Sequence, residues 1–169
     1  MNDMKVTICR LEAADAERFR DIRLEGLRRF PEAFGSSFEE ESAHDLSWFA
    51  DRLQGSHVLG AFEGSEFLGV AGLLVQRGRK SAHKGLLVGM YVRPAAQGRG
   101  VGRALVEAIL EVARERVELI QLTVARNNRA ARRLYTNLAF QEYGLEKDAL
   151  KIGNRYLDEI LMALDLRSG

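Results

Sequence analysis

A glycine-rich turn at residues 97–102, with the sequence Gln-Gly-Arg-Gly-Val-Gly, has the composition expected of an anion-binding segment. It follows an apolar stretch typical of a strand, residues 85–92, and precedes an amphipathic helical pattern over about residues 101–115. Glycines let a backbone approach a ligand closely, and the free N–H groups at the start of a helix attract phosphate oxygens. The turn therefore predicts a phosphate-binding site. The alternative is a tight strand-to-helix connection that binds nothing.

Two familiar phosphate-binding patterns do not fit this turn. The dinucleotide pattern GxGxxG would need glycine at position 103, where the sequence has Arg103. The Walker pattern GxxxxGK[ST] does not occur in the sequence. Neither a dinucleotide-binding fold nor a P-loop enzyme is therefore predicted.

A second block, Asn128-x-x-Ala131-x-x-Leu134-Tyr135, begins three residues after a further predicted strand, residues 119–125. Together with the strand before Arg93, the glycine turn and the helix, this block resembles the GNAT superfamily of acyl-CoA-dependent N-acetyltransferases. The resemblance centres on residues 86–140, and the flanking elements fit the family order over nearly the whole chain. It implies one α/β domain over residues 1–169, with its core at about residues 5–166. The implied fold is a GNAT-like central mixed, mostly antiparallel sheet of about seven strands, flanked by about four helices.

The resemblance also implies acetyl-CoA as a co-substrate and assigns residues to it. In the family, main-chain groups of the fourth strand bind the pantetheine arm, and Asn128 contacts that arm or holds the loop. Amides of the following turn bind the pyrophosphate. The residues expected at these positions are Met90, Tyr91 and Val92 on the strand and Gln97, Gly98, Arg99, Gly100, Val101, Gly102 and Arg103 in the turn.

Acetyl transfer from a thioester to an amine requires a proton donor for the departing thiolate. A tyrosine, with a pKa near 10, stays protonated at neutral pH and can supply that proton. The resemblance assigns this general acid role to Tyr135, which would also contact the co-substrate. The alternative is that Tyr135 packs against the core with its hydroxyl at the surface.

The general base is less well marked. Many relatives carry a glutamate on the fourth strand, but this strand, LLVGMYV, has no carboxylate. The candidates elsewhere are Glu159, which we take as the candidate base, and Glu39, Glu40, Glu41, Asp158 and His83. Because neighbouring residues of a strand point to opposite faces, at most one of Asp158 and Glu159 faces the site. The acidic run at residues 39–41 favours a cationic or amine-bearing acceptor.

A second departure from the family lies at Ala139, where relatives usually have glycine. Glycine there would end the preceding helix in a left-handed conformation, which alanine adopts poorly. We therefore expect Asn137, two residues earlier, to adopt that conformation instead.

The remaining pattern predicts the elements that must position these residues. Two hairpins are expected at the turns Gly64-Ser65 and Gly153-Asn154, and a helix is expected between Asp15 and Pro31. Residues 32–42 predict no regular element. The other predicted elements are strand 5–11, helix 45–53, helix 128–138 and the closing strands 143–152 and 156–166.

Composition excludes several classes of protein. With 46% hydrophobic and 29% charged residues, the chain is suited to a folded domain rather than to disorder. The single cysteine, Cys9, excludes an internal disulfide and is expected to be buried, and the three histidines show no metal-ligand spacing. No apolar stretch approaches the roughly 20 residues of a membrane span. The N-terminus lacks an apolar signal segment, so we expect a cytoplasmic protein without a metal and without a membrane partner.

Charge is distributed unevenly, with six more acidic than basic residues in 1–76 and seven more basic than acidic in 77–169.

The leading hypothesis is transfer of acetyl to a primary amine by direct attack within a ternary complex, with a small-molecule acceptor. The alternatives are a peptide or protein acceptor, a non-catalytic acyl-CoA-binding module, and a nucleic-acid-binding module. The last lacks a known motif, so no nucleic acid partner is expected. A homodimer is conceivable through an exposed edge of the closing strand.

Overall fold

The computed structural model describes residues 5–167, and within them seven strands and five α-helices. The first half contains β1 (Thr7–Arg10), α1 (Ala16–Arg29), α2 (Phe38–Ser42), α3 (Leu46–Gly55), β2 (His57–Glu63) and β3 (Glu66–Val75). The second half contains β4 (Lys84–Val92), α4 (Val101–Arg114), β5 (Leu119–Ala125), α5 (Arg129–Asn137), β6 (Gln141–Ile152) and β7 (Arg155–Asp165). Within residues 5–167, no helix combines the length and apolarity needed to span a bilayer.

The strands form one mixed sheet in the order β1-β2-β3-β4-β5-β7-β6. Only β4 and β5 pair in parallel, through the crossover helix α4, and every other pairing is antiparallel. The predicted fold class and both hairpin turns are confirmed. The exposed edge at this end of the sheet is β6, because the last strand, β7, inserts between β5 and β6.

Alternating side chains on the strands pack into two buried clusters. One includes α4 residues such as Leu105 and Ile109 together with β5 residues, and the other includes Phe19 and Ile22 of α1 and Phe49 of α3. Because successive strand residues point to opposite faces, the two clusters hold α4 and α5 on one face and α1 and α3 on the other. Any site between β4 and β5 therefore has a helix layer on each side.

Helix α2 is the element that the sequence pattern missed. It lies in residues 32–42, where no regular structure was expected, and its start is capped by Ser37, whose hydroxyl accepts from the Glu40 N–H at 3.2 Å. A helix of one and a half turns has too little apolar periodicity to be detected. Its buried Glu41 anchors it, as described below.

Cys9 is exposed, so the expectation that it is buried was wrong. Its neighbour Ile8 packs against the cluster that contains α4. Cys9 points to the opposite face of an edge strand, which the other helices leave uncovered there.

Candidate active site

The central feature of the site is a gap within the sheet, where β4 and β5 separate. Their pairing is confined to Lys84–Leu86 on β4 and Leu119–Gln121 on β5. Past this point β4 bends, since its register with β3 shifts between Val70 and Gly72 and Gly89 has a φ of +63°. A bulge with a left-handed glycine re-aims a strand, so main-chain groups of β4 no longer face β5.

A cavity of about 280 Å³ lies at this gap. Its walls come from β4, β5, the start of α5, the loop after α1, and one arginine each from α1 and α3. The lining residues that matter most below are Arg23, Phe34, Arg52, Gly89, Met90, Thr123, Asn128 and Tyr135. The cavity thus brings together Met90, Asn128 and Tyr135, which the sequence predicted as site residues.

The glycine turn supplies free amides beside this gap. Gly98 and Gly100 have φ angles of +76° and +78°, and a Cβ added at either would meet no atom within 4 Å. The first backbone bond of α4 runs from the Ala104 N–H to the Gly100 carbonyl at 3.0 Å. In the described chain, the amides of residues 98–103 donate to no intramolecular acceptor, whereas the Gln97 N–H donates to the Pro94 carbonyl at 3.2 Å. This arrangement fits an anion such as a pyrophosphate.

The third glycine of the turn has a packing role. A Cβ on Gly102 would lie 3.0 Å from Cε of Met90 and 3.7 Å from Cγ2 of Val92. The start of α4 therefore lies close against the end of β4. Side chains of the turn are engaged elsewhere: Gln97 donates to the Val92 carbonyl (3.1 Å), Arg99 pairs with Glu63 (2.8 Å) and Arg103 pairs with Glu107 (2.9 Å).

The Tyr91 side chain points away from the gap. Its hydroxyl donates to Glu25 at 2.7 Å, and Arg93 donates to the same carboxylate oxygen at 3.2 Å. Burial and the hydrogen bond to Glu25 raise the pKa of Tyr91. The Tyr91 side chain is therefore not available to a ligand in the gap, and a main-chain contact of Tyr91 with the co-substrate stays a prediction.

Tyr135 is buried, with 5% of its surface exposed, and lies at the cavity wall. Burial raises the pKa of its hydroxyl, so it is protonated at neutral pH. Within residues 5–167 no hydrogen bond involves this hydroxyl, which leaves its proton free to be donated to a ligand. The ring is held by an edge-to-face contact with Phe140, at a centroid distance of 5.7 Å.

The end of α5 explains how that contact is fixed. The Phe140 N–H donates to the Tyr135 carbonyl and the Ala139 N–H donates to the Thr136 carbonyl, both at 3.0 Å, which is a Schellman motif. Ala139 itself has a φ of +72°. The expectation that Asn137 would adopt the left-handed conformation was wrong, because the motif places that conformation at the residue after the C-cap, and Asn137 is still helical.

Asn128 caps the other end of α5. Its side-chain oxygen accepts from the Ala131 N–H at 3.2 Å, so it holds the loop between β5 and α5. It also lines the cavity. Both roles that the resemblance implied for Asn128 are thus compatible with its position.

Carboxylates are placed behind the cavity rather than in it. Among the described residues that line it, none is Asp or Glu. Glu159 is opposite Ala125 in the β5–β7 ladder, on the same face as Thr123 of the cavity wall. Burial raises the pKa of Glu159, the charge of Glu146 adds to the increase, and a hydrogen bond from Thr123 opposes it.

The other candidate bases are less suitable. Asp158 accepts from the Asp148 N–H at 3.0 Å and from Arg126 at 3.2 Å, and these bonds keep its pKa below the ordinary value. Glu39 and Glu40 lie along an adjoining groove of about 850 Å³, which runs between the loop after α1 and residues 149–153 of the β6–β7 hairpin. Glu41 is buried in an ion network, so it is not part of an acidic acceptor wall.

That network was not anticipated from the sequence. Glu41 accepts two hydrogen bonds from Arg23, at 2.9 and 2.7 Å, and one from Arg52 at 3.0 Å. Burial alone would raise the pKa of Glu41, but the bonds and charges of the two arginines outweigh it and lower the pKa. A signal existed in the sequence, since Arg23 interrupts the apolar face of α1 formed by Phe19 and Ile22.

Comparison with known proteins decides the family. A sequence model of the Acetyltransferase (GNAT) family matches residues 19–140. This chain belongs to the GNAT acetyltransferase family. It is an N-acetyltransferase, as the Arg93–Tyr135 motifs predicted. No group of three His, Cys, Asp or Glu residues that could hold a metal occurs among residues 5–167.

Individual relatives agree with this assignment. The chain is 33% identical over 145 residues to the N-alpha-acetyltransferase RimI of Mycobacterium tuberculosis, covering 84% of this chain and 82% of that protein. A GNAT-family acetyltransferase from Streptococcus pneumoniae shares the fold with a TM-score of 0.82, at 20% identity over 95% of this chain and 99% of the other. A putative acetyltransferase from Salmonella typhimurium, solved with its cofactor acetyl-CoA, gives a TM-score of 0.80 at 24% identity over 97% and 95%.

Proposed function

We propose that this GNAT acetyltransferase transfers acetyl from acetyl-CoA to the α-amino group at a polypeptide N-terminus. The observation that carries the proposal is the cavity at the β4–β5 gap, where the protonated Tyr135 faces a space that continues into an open groove. The relative from M. tuberculosis is named as an N-alpha-acetyltransferase, which supports the same acceptor chemistry.

The donor binds along β4 and the glycine turn. Main-chain groups of Met90, Tyr91 and Val92 bind the peptide-like pantetheine arm, and the amides of residues 98–103 bind the pyrophosphate. When bound, acetyl-CoA supplies a thioester that an amine attacks directly. As the carbon–sulfur bond breaks, Tyr135 donates its proton to the leaving sulfur.

An α-amino acceptor fits the electrostatics of the cavity better than a lysine-like amine does. Deprotonating an α-amino group at pH 7 costs about 1 kcal/mol, against about 4–5 kcal/mol for a lysine amine. The positive charges of Arg23 and Arg52 on the cavity wall disfavour the protonated, ammonium form of an acceptor amine. Glu159, acting through water beside Thr123, accepts the proton that the α-ammonium group loses.

The adjoining groove favours a polypeptide over the small-molecule acceptor expected from the sequence. It is about three times as large as the cavity and open to solvent, so residues that follow an N-terminus have room to leave the site. A cytoplasmic location and the absence of a nucleic-acid partner remain predictions, as does dimerisation through a sheet edge.

The test is release of free thiol from acetyl-CoA with a matched acceptor panel. It includes hexapeptides with a free N-terminus, the same peptides with a blocked N-terminus and one internal lysine, free amino acids, and spermidine. Because the Cys9 thiol is exposed and reacts with thiol reagents, the assay uses a Cys9→Ser variant. Turnover with free N-termini supports the proposal. Turnover with spermidine or blocked peptides alone contradicts the proposal that the acceptor is an N-terminal α-amino group. Acetyl-CoA binding without turnover supports a non-catalytic module instead.

A further inference from the structure

We propose that Arg23 and Arg52 bind a carboxylate that the acceptor carries close to its α-amino group. The inference rests on the proposed function and deepens it by defining a property of the acceptor. Either of two sources could provide this carboxylate: an acidic side chain at the first or second residue of a polypeptide, or the α-carboxylate of a free amino acid.

The charge balance at this wall of the cavity is positive. Arg23 and Arg52 both line the cavity, and Glu41 behind them is their shared counter-ion. Two guanidinium groups thus face one carboxylate, and among the described lining residues there is no second acid. Burial lowers the pKa of Arg52, and the charge of Arg23 adds to this, so an incoming anion relieves a repulsion between the two.

Each arginine also keeps an uncommitted donor. Arg23 contacts Glu41 through Nε and Nη2, and its Nη1 lies 3.3 Å from the position of a Cβ built on Gly89. Arg52 contacts Glu41 through Nη1 only. Over residues 5–167, neither Arg23 Nη1 nor Arg52 Nη2 donates a hydrogen bond. A guanidinium N–H that lines the cavity without a protein partner favours an anionic acceptor oxygen.

The position of Gly89 places these donors at the acceptor end of the cavity. The donor's pantetheine arm runs along Met90 to Val92, and Gly89 is the next residue towards the paired part of β4. Arg23 therefore lies just past the predicted thioester end, on the α1 and α3 side. An amine positioned to attack there has its substituents beside the two guanidinium groups.

The guanidinium groups are held in place before a ligand arrives. Arg23 lies over the ring of Phe34 at 5.0 Å and Arg52 lies over the ring of Trp48 at 5.0 Å. Together with the bonds to Glu41, these contacts fix both side chains on rigid helices. Binding a carboxylate then requires little further ordering of the protein.

The first experiment compares isosteric acceptors with the unaltered enzyme. Hexapeptides that begin Asp-Ala and Ala-Asp are paired with peptides that begin Asn-Ala and Ala-Asn, and free alanine is paired with alanine amide. A charge-assisted hydrogen bond predicts that kcat/KM is at least about tenfold higher for the acidic member of one pair. Equal values within every pair overturn the inference.

The second experiment separates recognition from structure with the Arg52→Gln variant. We expect kcat/KM for the preferred acidic acceptor to fall about tenfold, while the value for its amide partner changes less than about threefold. Arg114→Gln, at an exposed position of α4, is the matched control and leaves both values unchanged. An equal fall for both acceptors in Arg52→Gln indicates a structural role and overturns the inference.

The outcomes also separate this inference from the proposed function. Acetylation of all free N-termini without a charge preference removes the carboxylate site and leaves the proposed function intact. A preference for free amino acids over their amides, lost in Arg52→Gln, supports the carboxylate site and replaces the polypeptide acceptor. No turnover with any α-amine contradicts both.

Discussion

At the scale of single residues, the Tyr135 hydroxyl combines a buried ring with the absence of a hydrogen-bond partner in the described chain. The ring is buried against Phe140, which raises the hydroxyl pKa, and the hydroxyl has no bond to another residue in the described chain. A hydroxyl in this setting keeps its proton until a basic sulfur forms beside it.

Replacing Tyr135 by phenylalanine removes the donor and keeps the ring. We expect kcat to fall about 10²- to 10⁴-fold with little loss of stability, because no intramolecular hydrogen bond is broken. Steady-state kinetics and thermal melting measure the two effects. Tyr156→Phe, at a residue with 57% of its surface exposed, is the control. A Tyr135→Phe enzyme with kcat within threefold of the original would show that another group protonates the sulfur.

Glu159 sets the expected pH dependence on the acidic side. Because burial raises its pKa above the ordinary 4.5 and a base must be deprotonated, kcat/KM falls as pH drops through that raised pKa. Glu159→Gln should remove this limb and lower kcat. In Glu146→Gln, loss of a neighbouring charge should move the limb to lower pH and leave it in place. An unchanged profile in Glu159→Gln would exclude Glu159 as the base.

At the scale of elements, the C-terminus of α5 carries a backbone strain that this sequence does not relieve. Ala139 occupies the left-handed position of a Schellman motif, where glycine is the usual residue. The motif nevertheless forms, since it satisfies two carbonyl groups and the contact between Tyr135 and Phe140 closes over it.

The variant Ala139→Gly should stabilise the protein by about 1 kcal/mol, because glycine adopts a positive φ without a steric penalty. The same change at Ala108, inside α4, should lower stability by about 1 kcal/mol or more. Chemical denaturation of both variants shows whether each change raises or lowers the free energy of unfolding. A destabilised Ala139→Gly protein would show that the left-handed conformation is not formed in solution.

The glycine turn gives a second matched comparison. Gly100 and Gly64 both have positive φ, and an added Cβ would meet no atom at either position. Gly100→Ala and Gly64→Ala should therefore lose similar stability, about 1 kcal/mol. Only Gly100→Ala should raise KM for acetyl-CoA, by about tenfold, since only that turn belongs to the proposed pyrophosphate site. Equal KM values in the two variants would remove the turn from the donor site.

Elements with strong local signals were predictable from the sequence, and contacts between distant residues were not. The strand at residues 119–125 and the two glycine hairpins were predicted correctly because periodicity and turn chemistry are local. The bend at Gly89, the short helix α2 and the pairing of Arg23 with Glu41 depend on tertiary packing, which no local pattern records. Tyr135 was accessible to prediction through a family motif, and its burial was not.

At the scale of the whole molecule, the Arg23–Glu41–Arg52 network joins α1, α2 and α3 beside the active site. Its stability contribution has a defined pH dependence. The pKa of Glu41 is lowered by folding, so the contribution is complete above the unfolded-state pKa, near 4.5, and is lost as pH falls through the folded-state pKa.

Glu41→Gln should lower the free energy of unfolding by about 3–5 kcal/mol at pH 7, because the buried Arg23 guanidinium and the half-buried Arg52 guanidinium lose their counter-ion. The penalty should shrink as pH is lowered below 4. Glu39→Gln, on the exposed side of the same short helix, should change stability by less than about 0.5 kcal/mol. Urea titrations of both variants at pH 7 and pH 3 measure the difference. Similar effects of the two variants would show that the buried network contributes little.

The separation of β4 from β5 has a consequence for folding as well as for binding. Past Leu86 the sheet has a seam, where the facing edges of β4 and β5 no longer pair with each other. In the proposed donor complex, a peptide-like arm lying in that seam takes the place of a missing strand and joins the two halves of the sheet. A donor bound in this way stabilises only the folded chain, so the melting temperature should rise with the concentration of acetyl-CoA.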